Sequence, residues 1–234
     1  MSVTLDQVVP WGRSLAEYRR IFDMSERDLA ARILGCGDGP ASFNAEMTAL
    51  GRSVVSCDPI YAFSKEQIAQ RVKETYDPIV EQVRQKAQNY VWREFRDPDA
   101  LGQHRLATMR AFLADFDAGR AAARYLPDAL PALSFADGQF DLALCSHLLF
   151  LYSEQLSLEF HMAAIRELCR VAREVRIFPL LALDCRPSPH VAPIQARLRE
   201  AGFAAELQRV PYEFQVGGDQ MMRISRMSEN IASA

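Results

Sequence analysis

Residues 31–40 read Ala-Arg-Ile-Leu-Gly-Cys-Gly-Asp-Gly-Pro, an apolar run that opens into glycines at 35, 37 and 39. After a helix-length segment, residues 52–58 form a second apolar run, Arg-Ser-Val-Val-Ser-Cys-Asp, which ends on a carboxylate. This order of strand, glycine loop, helix, strand and acid restricts the fold more than any other stretch. Strands that alternate with helices build a parallel sheet covered on both faces, and ligands of such sheets sit beyond the carboxyl ends of the strands. Glycine lets a ligand approach the backbone with no Cβ between them, a helix N-terminus offers unpaired N–H groups, and an acid at the end of the second strand suits a ribose diol. The expected ligand is therefore nucleotide-like.

The spacing of the glycines discriminates between cofactors. A dinucleotide loop, G-x-G-x-x-G, needs glycine at position 40 for close packing of helix on strand. Pro40 stands there; proline is well suited to the start of a helix but not to that contact. The spacing Gly35-x-Gly37-x-Gly39 instead resembles motif I of the class I S-adenosylmethionine (SAM) dependent methyltransferases, bacterial-type enzymes of small molecules among them. The resemblance implies that the loop, with Cys36 and Asp38, passes under the methionine part of SAM, and that Asp58, followed by Pro59, binds both ribose hydroxyls. Ile33 occupies a position where many members carry an acid, which leaves Asp38 as the nearby carboxylate for the SAM amino group.

Later segments extend the resemblance. Residues 127–141, Pro-Asp-Ala-Leu-Pro-Ala-Leu-Ser-Phe-Ala-Asp-Gly-Gln-Phe-Asp, are similar to the family stretch that leads into the fourth strand, and imply that Asp128 and Ala129 contact adenine. A fourth strand over 141–146 would deliver Ser146, His147 and Tyr152 to the carboxyl edge. His147 is the candidate general base or hydrogen-bond partner of the acceptor, because an imidazole titrates near neutral pH. The basic-Pro-Gly-Gly turn frequent in the family before the fifth strand is absent, replaced by Val171-Ala-Arg-Glu174. Arg186 follows that strand, expected over 174–183, close to the substrate mouth. Strands over 205–210 and 221–225, joined through 212–216 and the turn 217–219, would close the sheet with an antiparallel hairpin. The fold so implied is α/β, a doubly wound, mostly parallel, seven-stranded sheet of Rossmann-like methyltransferase type.

The remaining strands are expected over 31–34, 53–57 and 122–126, with helices over 41–50, 158–173 and 193–201. One domain over 1–234 is expected, with a helical arm over 1–30 and a helical insertion over 64–119 acting as a substrate cap. In the arm, Ser14 with Glu17 and Ser25 with Asp28 have capping-box spacing, and Trp11 and Tyr18 are candidate lid or substrate contacts. Tyr76, Tyr90, Trp92 and His104 are the corresponding candidates in the insertion, where Pro78 is expected to start a second helix. The net charge of −3 argues against a broad nucleic-acid surface. Five scattered cysteines without a C-x-x-C pair favour neither zinc nor a disulfide framework. No run approaches membrane-spanning length, so a cytoplasmic protein is expected. Together these features point to a SAM-dependent methyltransferase of a small-molecule acceptor. The alternatives are a non-catalytic SAM-binding regulatory protein and, from another class, a nicotinamide-dependent oxidoreductase.

Overall fold

The computed structural model describes residues 10–227, so residues 1–9 of the expected arm lie outside the described residues. Its strands, in chain order, are β1 (Ile33–Cys36), β2 (Val54–Cys57), β3 (Tyr125–Leu126), β4 (Phe140–Ser146), β5 (Ala172–Phe178), β6 (Phe203–Arg209) and β7 (Gln220–Arg226). They form one sheet in the order β3-β2-β1-β4-β5-β7-β6. The first five strands are parallel, and β7 runs antiparallel to both β5 and β6. This is the expected seven-stranded, doubly wound sheet with its reversed final strand. The chain works outward from β1 to β3 and restarts at β4 on the other side, so a crevice opens where β1 and β4 end.

Alternation along the strands divides the core. Ile33, Val54, Leu142 and Leu144 face one side, where they meet α1 (Leu15–Ile21), α2 (Glu26–Leu29) and α3 (Phe43–Ala49). Leu34, Ala143, Val175 and Ile177 face the other, beneath α6 (Leu158–Val171) and α7 (Val191–Glu200). The period of two in a strand requires this division. Capping boxes at Ser14/Glu17 and Ser25/Asp28 start α1 and α2 as the spacing predicts.

Several boundaries differ from expectation, each for a physical reason. The first strand lies two residues later than 31–34, because Gly35 pairs with Ser56 and Leu144 inside the sheet. A Cβ at Gly35 would lie 1.9 Å from Asp38 Oδ2, so the absence of a side chain there makes room for a loop carboxylate. β5 stops at Phe178 because Pro179 removes the next ladder donor. Residues 212–216, which join β6 and β7, pack on the insertion: the Phe214 ring stacks on Tyr90 at 4.6 Å, and Val91 N–H donates to Phe214 O at 2.7 Å.

Between β2 and β3 the chain forms two long helices, α4 (Lys65–Gln85) and α5 (Pro98–Ala121). Pro78 lies inside α4 and does not break it. An interior proline costs about 3 kcal/mol, and here α5 packs closely on both sides of it: a Cβ at Gly102 would meet Tyr76 Oη and Val80 Cγ2, each at 2.8 Å. Tyr61, Ile68, Val72, Met109, Phe112, Phe116 and Tyr125 form a third apolar cluster that ties the helix pair to the β2/β3 end of the sheet. No helix among the described residues is long and apolar enough to cross a membrane.

Ile33 is 1% exposed within the α1–α3 core. Ile33→Asp, which installs the acid at that position, should therefore bury an unpaired carboxylate. The expected result is a loss of about 3–5 kcal/mol in urea-induced unfolding at pH 7; a loss below about 1 kcal/mol would contradict this packing.

Candidate functional site

A cavity of about 990 Å³ opens over the carboxyl ends of β1, β2 and β4. Cys36, Gly37, Asp38, Gly39, Asp58, Pro59, Asp128, Ala129, Ser146, His147, Trp11, Tyr18 and Tyr152 all line it. Of the remaining sequence candidates, Tyr90 lines it, Gly35 sits beneath it in β1, and Tyr76, Trp92, His104 and Arg186 lie outside the lining. The Arg186 side chain is 85% exposed and pairs with Asp184 at 3.7 Å.

The loop geometry explains the glycines. Gly37 and Gly39 have φ of +69° and +52°, a region that favours glycine. A Cβ at Gly37 would also meet Leu148 Cδ2 at 2.7 Å. Gly39 N–H donates to Asp58 Oδ2 at 2.9 Å, and Ile60 N–H donates to Asp58 Oδ1 at 2.9 Å. The carboxylate is thus fixed from both sides, and each oxygen keeps lone-pair capacity for a ligand in the cavity. Burial raises its pKa, against the opposing effect of the two backbone hydrogen bonds. Tyr61 O–H donates to Gly39 O at 2.7 Å and holds the far side of the loop.

Asp38 occupies the space left open by Gly35. Its Oδ1 accepts from Tyr18 O–H at 2.6 Å and its Oδ2 from Ser56 O–H at 2.6 Å. Burial pushes its carboxyl up to about 6, although both hydrogen bonds favour the ionised form. Tyr18 also stacks on Phe43 at 4.1 Å, so its hydroxyl braces the loop carboxylate while the ring anchors α1. Trp11 lies 6.4 Å from the Tyr76 ring and links the arm to α4.

Asp128 reaches the cavity wall with Oδ2 engaged, accepting from Ser134 N–H at 2.8 Å and Ser134 O–H at 2.6 Å. His147 follows β4 with φ of +57°. Its backbone N–H donates to Phe178 O at 2.6 Å, and its ring Nδ1 lies 2.8 Å from Ser146 Oγ. Burial, then the Arg13 and Arg105 charges, hold the imidazole pKa well below its ordinary value. It is therefore neutral at pH 7, able to accept a hydrogen bond but a weak proton acceptor.

A charged cluster beside His147 has no counterpart in the sequence expectations. Arg105 is fully buried, and its Nη1 donates to Glu17 Oε2 at 2.5 Å. His104 Nε2 lies 3.1 Å from the same oxygen, and Tyr212 O–H donates to Glu17 Oε1 at 3.2 Å. Arg105 keeps Glu17 well below the usual carboxylate range despite its burial. Glu17 also accepts from Ser14 N–H at 3.1 Å, the contact its capping position predicts. That local role reads as a solvated helix start, so nothing in the spacing marks the residue as buried. His104, a candidate substrate contact, belongs to this cluster, and Arg13, in the arm, lines the cavity beside it. No group of His, Cys, Asp and Glu among the described residues could hold a metal ion.

No protein-family model matches the chain. Among solved structures, it is similar to magnesium protoporphyrin IX methyltransferase from Synechocystis PCC 6803, with 14% identity and a TM-score of 0.43 over 86% of this chain and 73% of that one. It is also similar to a putative SAM-dependent methyltransferase of Methanococcus maripaludis, with 12% identity and a TM-score of 0.47 over 93% and 85% of the two chains. The uncharacterized protein MJ0045 of Methanocaldococcus jannaschii is 33% identical over 225 residues, which are 96% of this chain and 99% of that protein. The chain belongs to the same family as MJ0045.

Proposed function

We propose that the chain is a SAM-dependent methyltransferase acting on a small-molecule acceptor. The observation that carries this reading is the Asp58 carboxylate, held between Gly39 N–H and Ile60 N–H at the end of β2 and turned to a cavity floored by a glycine loop. The residues fit such a donor. Gly37 and Gly39 add no side chain to the loop surface, Asp58 suits a ribose diol, Asp38 suits an ammonium, and Asp128 with Ala129, in the cavity lining, suits an adenine edge.

A SAM-type donor supplies a methyl group on a cationic sulfur, already a good leaving group. The chain then contributes position and dryness. Trp11 and α4 would cover the cavity from the arm and the insertion, acting as lid and substrate cap. Neutral His147 would accept a hydrogen bond from an acceptor O–H or N–H at Nε2 while Nδ1 is engaged by Ser146 Oγ, which aligns the attacking lone pair. Its lowered proton affinity suits it to orienting the acceptor rather than to removing its proton, with no permanent charge to repel a cationic donor.

Calorimetric titration with S-adenosylhomocysteine, SAM and NADH tests the reading. The two sulfur nucleotides should bind and NADH should not, and Asp58→Ala should weaken them about 10- to 100-fold through loss of charge-assisted hydrogen bonds. Folded protein that binds neither sulfur nucleotide would refute it. If ionised Asp38 receives the ammonium, acidification through its pKa of about 6 removes that anion. S-adenosylhomocysteine should then bind about tenfold more weakly at pH 5 than at pH 7.5, and Asp38→Asn should abolish this dependence. The His147 ring should stay neutral in an NMR titration from pH 8 down to pH 5.5, because burial and two arginines oppose its protonation; a midpoint at pH 6 or above would contradict the arrangement.

A further inference from the structure

The Arg105 charge acts on Arg13 beside the cavity, and Glu17 is the carboxylate that acts on both. Two guanidinium groups against one carboxylate leave an excess positive charge in a site where burial makes such charge costly. The two arginines are not equivalent. Arg105 does not line the cavity: its Nη1 donates to Glu17, it lies over the Phe95 ring at 5.5 Å, and its Nε and Nη2, buried without a hydrogen-bond partner among the described residues, are out of reach of a ligand there. Arg13 does line it, with Nη1 donating to Trp11 O at 3.0 Å. Its Nε is buried and, among the described residues, has no hydrogen-bond partner. A water molecule would satisfy one N–H but leave the charge unopposed. An anion would satisfy both, and the fork of a guanidinium matches a carboxylate best.

The surroundings of Arg13 indicate which molecule brings that anion. Asp58 and the glycine loop, the nucleotide grip, lie toward β2. Arg13 acts on His147 and Tyr212, on the β4/β5 side, and also on Tyr18, which braces the loop carboxylate, so it stands between the two halves of the cavity. On the β4/β5 side His147, Phe178 and Tyr212 form a continuous series of ring contacts at 5.3 and 5.9 Å. The stacked Tyr90 and Phe214 also line the cavity. A single cation set in an aromatic wall next to a hydrogen-bond acceptor is the complement of a ring-bearing acid. We propose that the acceptor is a ring-bearing carboxylate whose anion is received by Arg13, with Arg105 and Glu17 fixing the charge behind it. The inference rests on the methyltransferase reading of this cavity for its term "acceptor". The carboxylate subsite itself does not require it.

Titration of the S-adenosylhomocysteine-loaded protein with 2-naphthoate and indole-3-acetate, each beside its primary amide, tests the proposal. The acids should bind at least about tenfold more tightly than the amides. Arg13→Gln should remove that preference, and Arg13→Lys should restore part of it, since a point charge replaces the fork. Affinity for S-adenosylhomocysteine should stay within about threefold in both variants, a change under 1 kcal/mol. Acids no tighter than amides on the unaltered protein would overturn the proposal, a comparison that needs no variant to fold. So would a tenfold or greater loss of S-adenosylhomocysteine in Arg13→Gln with 5′-methylthioadenosine unaffected, because Arg13 would then serve the carboxylate of the nucleotide itself. If folded protein fails to bind S-adenosylhomocysteine, the methyltransferase reading falls separately, and the acid–amide comparison on nucleotide-free protein still decides the subsite.

Discussion

One missing side chain organises the centre of this molecule. Because residue 35 is glycine, the strand that leads to the crevice has a gap on its α1–α3 side, and the carboxylate of Asp38 folds back into it. There it accepts a hydroxyl from Tyr18 in α1 and another from Ser56 in β2. Three segments far apart in sequence are held in register by one group. A buried carboxylate with two short hydrogen bonds and no cation is under tension, which is why its proton affinity rises even though both partners favour the charge. The loop is thus braced by a group that gains from an approaching cation.

A second buried anion performs a different task. Glu17 joins α1 to α5 through Arg105, to the tail through Tyr212 and to its own helix start through Ser14. Such an ion cluster adds little net stability over a well-packed apolar core, yet removing one member strands the others. It specifies how the inserted helices seat against the arm. Its charges also act on His147, on the β4/β5 side of the cavity.

The sequence made the fold legible because periodicity and glycine spacing are local. The parallel strands, the capping boxes at Ser14 and Ser25, the helical character of the insertion and the final hairpin all follow from patterns a few residues long. The loop and Asp58 were equally readable, since a strand end, a turn and an acid at fixed spacing define their own geometry. What stayed hidden depends on contacts distant in sequence. Tyr18 and Ser56 are 20 and 18 residues from the carboxylate they hold, and Glu17 is 88 residues from Arg105. Arg186 looked well placed because it follows a strand that points to the crevice, but β5 ends at Phe178 and the segment after Pro179 carries that side chain into solvent. The continuity of α4 through Pro78 was illegible too, because only packing against Gly102 outweighs the local preference to break.

The position of Asp38 also has an evolutionary consequence. An acid in the strand at position 33 would need polar company where this chain has apolar core, whereas an acid in the loop needs a glycine beneath it and two hydroxyls beside it. These requirements are structurally linked. In descendants of this arrangement, isoleucine at 33 should travel with glycine at 35, aspartate at 38, tyrosine at 18 and serine at 56. A lineage that returns the acid to the strand is released from all of them at once.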